Sequence, residues 1–257
     1  MITFHKYQGT GNDFVIIDNR DLKFNRADNA LVEKLCHRRF GIGADGFMLL
    51  QNKSGYDFEM VYYNSDGKEG SMCGNGGRCI VEFARTLGLA NDKTLFYAAD
   101  GPHEAIVKPG FVSLKMKEVN EIEQNTDFCF LNTGSPHYVK FVKDIQNFNV
   151  VEEGKKVRYN ERFKAQGTNV NFVECVDNKL FVRTYERGVE DETYSCGTGV
   201  TAAALVAAVN NLATGTDFCE IKTLGGNLKV KFVPHGDNTF TDVWLEGPAE
   251  FVFKGEI

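Results

Sequence analysis

The chain of 257 residues contains no window approaching 18 consecutive apolar residues, which argues against a membrane-spanning helix. Its first residues, Met1-Ile-Thr-Phe-His-Lys-Tyr-Gln-Gly, lack the basic flank and apolar stretch of a secretory signal, so the expected compartment is the cytoplasm. Basic runs are missing as well, and the formal net charge is −6. Phosphate backbones and anionic headgroups require clustered Lys or Arg, so the expected partner is a small molecule, with no nucleic acid and no membrane. There is no C-x-x-C pair, and Cys73-x5-Cys79 does not have the spacing of a zinc site. The seven cysteines, at 36, 73, 79, 129, 175, 196 and 219, are odd in number and widely spread, which fits reduced thiols better than a disulfide framework.

With 42% hydrophobic and 25% charged residues, the composition is that of a globular protein of one large or two smaller domains. Apolar runs dominate: Phe14-Val-Ile-Ile, Phe47-Met-Leu-Leu, Phe58 to Tyr63, Val112 to Met116, Val170 to Val173, Leu180 to Tyr185, Leu228 to Phe232 and Phe251-Val-Phe. All eight read as strands. Helical patterns cover Asn29 to Arg38, Gly74 to Leu87 and Gly197 to Leu212, and the last is apolar on nearly every side, which predicts burial. Strands therefore outnumber helices, and the fold class is α+β.

An internal repeat organises the chain. Met72-Cys-Gly-Asn-Gly-Gly and Ser195-Cys-Gly-Thr-Gly-Val both place Cys-Gly-x-Gly where a strand and loop give way to a helix, and 196 − 73 = 123. Upstream, Thr10-Gly-Asn-Asp-Phe-Val is similar to Thr133-Gly-Ser-Pro-His-Tyr-Val, and 133 − 10 is also 123. Two landmarks at one offset predict duplicated halves, residues 1–117 and 118–248, with 249–257 returning as a strand to the first half.

A cysteine just before a helix meets unpaired backbone N–H groups and the positive end of the helix dipole, both of which stabilise a thiolate. The glycines that follow let backbone donors approach a carboxylate closely. Duplication supplies two such thiols, and inversion at a carbon needs one base and one acid on opposite faces. A single cysteine beside glycine is ordinarily a packed residue, and the repeat is what points to chemistry. By the same standard Cys36, Cys129, Cys175 and Cys219, inside apolar patterns, are expected in the core, with Cys79 as buried support for Cys73. Gly41-Ile-Gly-Ala-Asp-Gly matches a dinucleotide fingerprint in letters, but it follows a helix and precedes a strand, the wrong order for that turn.

Several strings together resemble the diaminopimelate epimerase family: Gly9-Thr-Gly-Asn-Asp-Phe, Arg38-Arg-Phe-Gly-Ile-Gly-Ala-Asp-Gly, Tyr63-Asn-Ser-Asp-Gly, Cys73-Gly-Asn-Gly-Gly-Arg-Cys, Gly134-Ser-Pro-His, Thr168-Asn-Val-Asn-Phe, Tyr185-Glu-Arg-Gly and Cys196-Gly-Thr-Gly. The resemblance implies two pseudo-symmetric halves, each a mainly antiparallel sheet curled around a central helix, with the active site in the cleft between them. It implies interconversion of L,L- and meso-diaminopimelate without a cofactor or metal, in lysine and peptidoglycan precursor synthesis, by a cytoplasmic homodimer. Carried over by residue, Cys73 and Cys196 are the paired base and acid. Gly74, Asn75, Gly197 and Thr198 bind the reacting end of the substrate through the two helix starts. Asn12, Asn64, Asn169 and Arg187 bind the substrate, Arg187 by pairing with a carboxylate, while Glu186 and His137 flank the cysteines. Two departures stand out: Gly46 and Ser135 occupy positions where many family members carry Gln and Asn.

Three other functions use some of the same residues. A proline or hydroxyproline epimerase would use the same two thiols on a smaller ring, whereas Arg187 and the asparagines favour a longer substrate with a second charged end. A thiol-based metal or redox protein lacks the spacing it needs. A purely binding protein has no use for two thiols. Taken singly, each asparagine at a strand end could merely satisfy a turn, and Glu186 with Arg187 could be a surface ion pair.

Overall fold

Continuous apolar runs need cover on both faces, and that requirement explains the centre of each half. In the computed structural model, which describes residues 1–212 and 214–257, Phe14 to Ile17 lie in strand β2 (Asn12–Asp18) and Phe47 to Leu50 in β3 (Gly46–Gln51). The two strands pair in parallel, Val15 opposite Phe47. Val15, Ile17, Phe47 and Leu49 form one cluster with Val32, Leu35 and Cys36 of helix α1 (Asn29–Cys36). Against the other face packs α2 (Gly74–Thr86), which also meets β1 (Thr3–Gly9), β4 (Phe58–Asn64) and β6 (Gly101–Lys108).

Contacts divide the chain into two units, Met1–Leu114 with Gly247–Ile257, and Lys115–Glu246. In the first, β1 pairs antiparallel with β2, β3 with β4, and β4 parallel with β5 (Lys93–Ala98). Antiparallel pairing then links β5 to β6 and β6 to β7 (Phe111–Lys115).

The second unit repeats this alternation. Here β8 (Ile122–Gln124) and β9 (Cys129–Asn132) are antiparallel, as are β9 and β10 (Pro136–Phe141). Next, β10 runs parallel to β11 (Asn169–Val176), which follows helix α3 (Val150–Arg158) and pairs antiparallel with β12 (Lys179–Glu186). The short β13 (Asp191–Thr193) returns along β12, and helix α4 (Gly197–Val209) leads to β14 (Phe218–Thr223), parallel to β12. Antiparallel β15 (Gly226–Pro234) and β16 (Phe240–Pro248) complete the series. The last strand, β17 (Glu250–Glu256), belongs to the first unit and runs antiparallel to β1, Thr3 opposite Glu256. The mainly antiparallel α+β fold with two pseudo-symmetric halves is thus present in full, down to the register: Phe14 faces Gly46, and 123 residues on His137 faces Asn169.

Both central helices contain 13 residues and begin 123 residues apart, at Gly74 and Gly197. Helix α4 packs against β9, β10, β11, β12, β14 and β15, and its unbroken apolar surface is accordingly buried. Helix α3 has no counterpart among the sequence expectations, because Gly154 in its middle and charged neighbours mask the period. Its start is capped by Asn149 accepting from the Glu152 amide, and a Cβ at Gly154 would lie 2.4 Å from the Cβ of Tyr185. Glycine there is the condition for α3 to lie on β12. One core expectation fails: Cys36, Cys129 and Cys219 are buried, but Cys175 is exposed, because the fully buried part of β11 stops at Val173 and Cys175 stands next to the turn at Asp177 and Asn178.

Candidate active site

Cys73 and Cys196 are the residues just before α2 and α4, both extended (φ −98° and −116°), with Cys73 partly exposed and Cys196 buried. Neither side chain caps its helix, so the first-turn N–H groups are not occupied by these thiols. No acidic residue lies in either first turn to compete for them.

In the first unit, Asn12 at the start of β2 connects Cys73 to a chain of charges. The Asp45 carboxylate can only accept, so the Asn12 amide nitrogen turns to it at 2.8 Å. The Asn12 carbonyl then accepts from Asn75 Nδ2 at 3.3 Å and from Cys73 Sγ at 3.6 Å. Behind Asp45, Arg38 bridges to Asp13 (2.6 and 2.7 Å), and the buried Lys6 ammonium also pairs with Asp13 at 2.7 Å. Burial pushes the Asp13 carboxyl up, but the hydrogen bonds and charges of Arg38 and Lys6 outweigh it and hold it down at about 2. Arg78, one turn along α2, is fully buried, and its guanidinium donates to neutral oxygens: Thr10 Oγ1 at 3.2 Å, Pro248 O at 3.3 Å and Gly74 O at 3.4 Å. Asn64, at the end of β4, is exposed. A Cβ at Gly46 would lie 2.7 Å from the Tyr62 ring, so Tyr62 fills the space a longer side chain would need.

The second unit solves the same problem with neutral groups. At the offset of 123, Asn12 becomes Ser135, Asn75 becomes Thr198, Arg78 becomes Thr201 and Met48 becomes Asn171. Cys196 Sγ lies 3.5 Å from Thr198 Oγ1, and Thr201 Oγ1 donates to Gly197 O at 2.9 Å. Asn171 is fully buried and donates to Tyr138 O at 3.0 Å, which sets its amide nitrogen against His137 Nδ1 at 3.1 Å, while its carbonyl accepts from Thr184 Oγ1 at 3.0 Å. His137 Nδ1 is therefore the acceptor and its proton sits on Nε2, which is buried without a hydrogen-bond partner among the described residues. Burial, followed by the nearby charge of Arg187, pushes His137 down to about 3 against the pull of Asn171, so the ring is neutral.

Ser135, Asn169 and Arg187 converge in the same unit. Asn169 donates to Ser135 Oγ at 2.9 Å and accepts from the Arg187 amide at 2.9 Å. The Arg187 guanidinium reaches Gln166 O at 3.0 Å and Ser135 Oγ at 3.5 Å, and among the described residues no carboxylate is within ion-pair distance of it. Glu186 accepts from Thr193 Oγ1 at 2.9 Å, so a Glu186–Arg187 surface pair does not form. Sequence reasoning missed Asp45, Arg78 and Asn171. Asn171 had a readable signal, a second asparagine two residues after Asn169 on the same face of a buried strand. Among the described residues no group of three or more His, Cys, Asp or Glu could hold a metal ion, and no helix is long and apolar enough to cross a membrane.

This doubled architecture is shared with solved structures. A phenazine biosynthesis protein of the PhzF family from Bacillus anthracis superposes with a TM-score of 0.75 at 14% identity, covering 100% of this chain and 98% of the other. A hydroxyproline epimerase from Agrobacterium vitis, solved with trans-4-OH-L-proline, gives 0.72 at 13% identity over 99% and 91%. The fold is thus one found in both a PhzF-family protein and a hydroxyproline epimerase. The sequence is more specific: the diaminopimelate epimerase family profile matches residues 4–119 and 129–252. The diaminopimelate epimerase of Flavobacterium psychrophilum is 50% identical over 255 residues, covering 98% of this chain and 99% of the other, and that of Chlorobaculum tepidum is 39% identical over 97% and 98%. The chain belongs to the diaminopimelate epimerase family.

Proposed function

We propose that this protein interconverts L,L- and meso-diaminopimelate by passing a proton between the substrate α-carbon and two thiols, Cys73 and Cys196. The observation that carries the reading is the duplication itself: each half begins its central helix with a thiol followed by Gly-x-Gly, within a family whose named relatives are diaminopimelate epimerases. One thiolate takes the α-proton as the C–H bond breaks, and the helix-start N–H groups at Gly74, Asn75, Gly197 and Thr198 stabilise charge developing on the α-carboxylate. The other thiol delivers its proton to the opposite face, leaving the pair with its protonation exchanged. No redox change and no cofactor enters this sequence.

Both cysteines have neighbours suited to either protonation state. Asn12 Oδ1 accepts from the Cys73 thiol, while the buried charge of Arg78 favours the thiolate. The Thr198 hydroxyl can donate to Cys196 or accept from it. A reversible proton exchange needs the two states close in free energy. His137 offers its Nε2–H, with Glu186 beside the turn, to orient the reacting amino and carboxylate groups. Asn12, Asn64, Asn169 and Arg187 read the distal end, Arg187 by pairing with the distal carboxylate, and Ser135 supports them.

The product would feed lysine and peptidoglycan precursor synthesis in the cytoplasm. A homodimer is the expected assembly, supported by the exposure of Phe251, Val252 and Phe253 on β17. The experiment is a paired assay: L,L-diaminopimelate is expected to give the meso isomer, with L-proline and 4-hydroxyproline unchanged. Inversion of the cyclic amino acids alone would replace the proposed substrate.

A further inference from the structure

The turn that carries Arg187 is unusually acidic. From Glu186 to Ser195 it contains Glu186, Glu190, Asp191 and Glu192, with Arg187 as its single cation. A flexible loop of this composition would neutralise Arg187 internally. In the structure each acid is engaged elsewhere. Glu192 makes a two-pronged pair with Arg183 (2.6 Å to each oxygen), Glu186 accepts from Thr193, and Asp191 accepts from the Glu192 amide at 2.8 Å.

Glu190 is the most tightly held. Its Oε1 accepts from Arg158 Nε and from the Gly188 amide, both at 3.2 Å, and its Oε2 from the hydroxyls of Tyr159 at 2.9 Å and Tyr185 at 3.1 Å. The Glu190 amide closes the turn onto Glu186 O at 2.8 Å, with Glu190 at a φ of 59°, a left-handed conformation that costs a non-glycine residue energy. Burial pushes the Glu190 carboxyl up, and these bonds together hold it below the ordinary range. Arg158 abuts the same glycine as Arg187: a Cβ at Gly167 would lie 3.0 Å from Arg158 Cζ and 2.6 Å from Arg187 Cδ. Without the clamp, Glu190, three residues along the chain from Arg187, would be free to pair with it.

We infer that Arg158, Tyr159 and Tyr185 act as a clamp that keeps Glu190 off Arg187, so that Arg187 stays available to the distal carboxylate of the substrate. Glu190 and Arg158 are positioning residues in this scheme. It rests on the diaminopimelate reading for the identity of the carboxylate, but not for the state of Arg187.

Two readouts test it. In Arg158→Leu the released Glu190 pairs with Arg187, and KM for diaminopimelate rises about fivefold with kcat within about twofold, the effect of one exposed ion pair. Removing the released charge in Arg158→Leu/Glu190→Gln restores KM to near the parent value, an outcome that mere structural damage would not produce. Tyr185→Phe, which drops one bond of the clamp, moves KM the same way by less and serves if Arg158→Leu fails to fold. Independently of turnover, phenylglyoxal modification of Arg187, followed by mass spectrometry, slows in the single variant and recovers in the double. An unchanged KM and unchanged modification rate in both single variants, or no recovery in the double, overturns the clamp. A parent protein that leaves diaminopimelate unconverted while the modification rates behave as stated overturns the substrate reading instead.

Discussion

The duplicated helix starts permit one substitution to be tested twice in the same molecule. Gly76 and Gly199 are equivalent third residues of α2 and α4. In Gly76→Ala the new Cβ would lie 3.3 Å from Met48 Sδ and 3.4 Å from Phe14 Cε1, and a thioether at the end of a flexible chain can move by a few tenths of an ångström. The helix-propensity gain of alanine over glycine, about 1 kcal/mol, offsets that crowding, so the net change should stay within about 1 kcal/mol. In Gly199→Ala the Cβ would lie 2.4 Å from Asn171 Oδ1. Asn171 cannot yield cheaply, because it is bonded to His137, Tyr138 O and Thr184 in a fully buried site. Crowding of about 1–3 kcal/mol adds to at least one broken buried hydrogen bond of about 1 kcal/mol, a loss near 2–4 kcal/mol before the propensity gain. Urea unfolding of the two variants compares these values directly, and turnover should fall in Gly199→Ala because Asn171 sets the His137 tautomer. Equal stabilities, or a larger loss at Gly76, would show that Asn171 yields to the new methyl group without cost.

Further expectations concern charge and thiols. His137 is neutral in the folded protein down to about pH 3, whereas the unfolded chain binds its proton near the ordinary 6.5. The unfolded state thus holds more protons between those values, and stability falls as pH drops through this window by up to about 1.4 kcal/mol per unit; His137→Gln should flatten that slope in pH-dependent unfolding. Replacing the buried cation in Arg78→Met should slow alkylation of Cys73 by about tenfold, the effect of one pKa unit, and leave Cys196 unchanged, as followed by peptide mass spectrometry. Equal rates in parent and variant would remove Arg78 from the account of Cys73. Among the remaining thiols, exposed Cys175 should label first without loss of activity, while burial pushes Cys36 up to about 12 and Cys219 up to about 11 and keeps both unreactive.

The parts of this architecture that were legible in the sequence are those whose signal is local. Cysteine followed by Gly-x-Gly, twice at one spacing, marks both helix starts, and runs such as Phe47 to Leu50 can only be strands or buried segments. Strands such as β1, where Lys6 and Gln8 alternate with Tyr7 and Gly9, carry too little apolar contrast to stand out. Helix α3 is hidden by Gly154, whose reason lies in the Tyr185 ring of a distant strand. The network from Lys6 through Asp13, Arg38 and Asp45 to Asn12 joins residues as far as 39 apart (45 − 6), so only the fold brings it together. Cys175 shows the converse error, since an apolar neighbourhood in sequence does not say where a strand leaves the core.

The two-thiol exchange is tested most directly by following substrate hydrogen in D2O. The protein incubated with L,L-diaminopimelate should place one deuterium at the inverted α-carbon of the meso product, and Cys73→Ala and Cys196→Ala should each abolish steady-state inversion because one face then lacks its proton carrier. Meso product without deuterium, or inversion at an appreciable rate in either single-cysteine variant, would contradict the account.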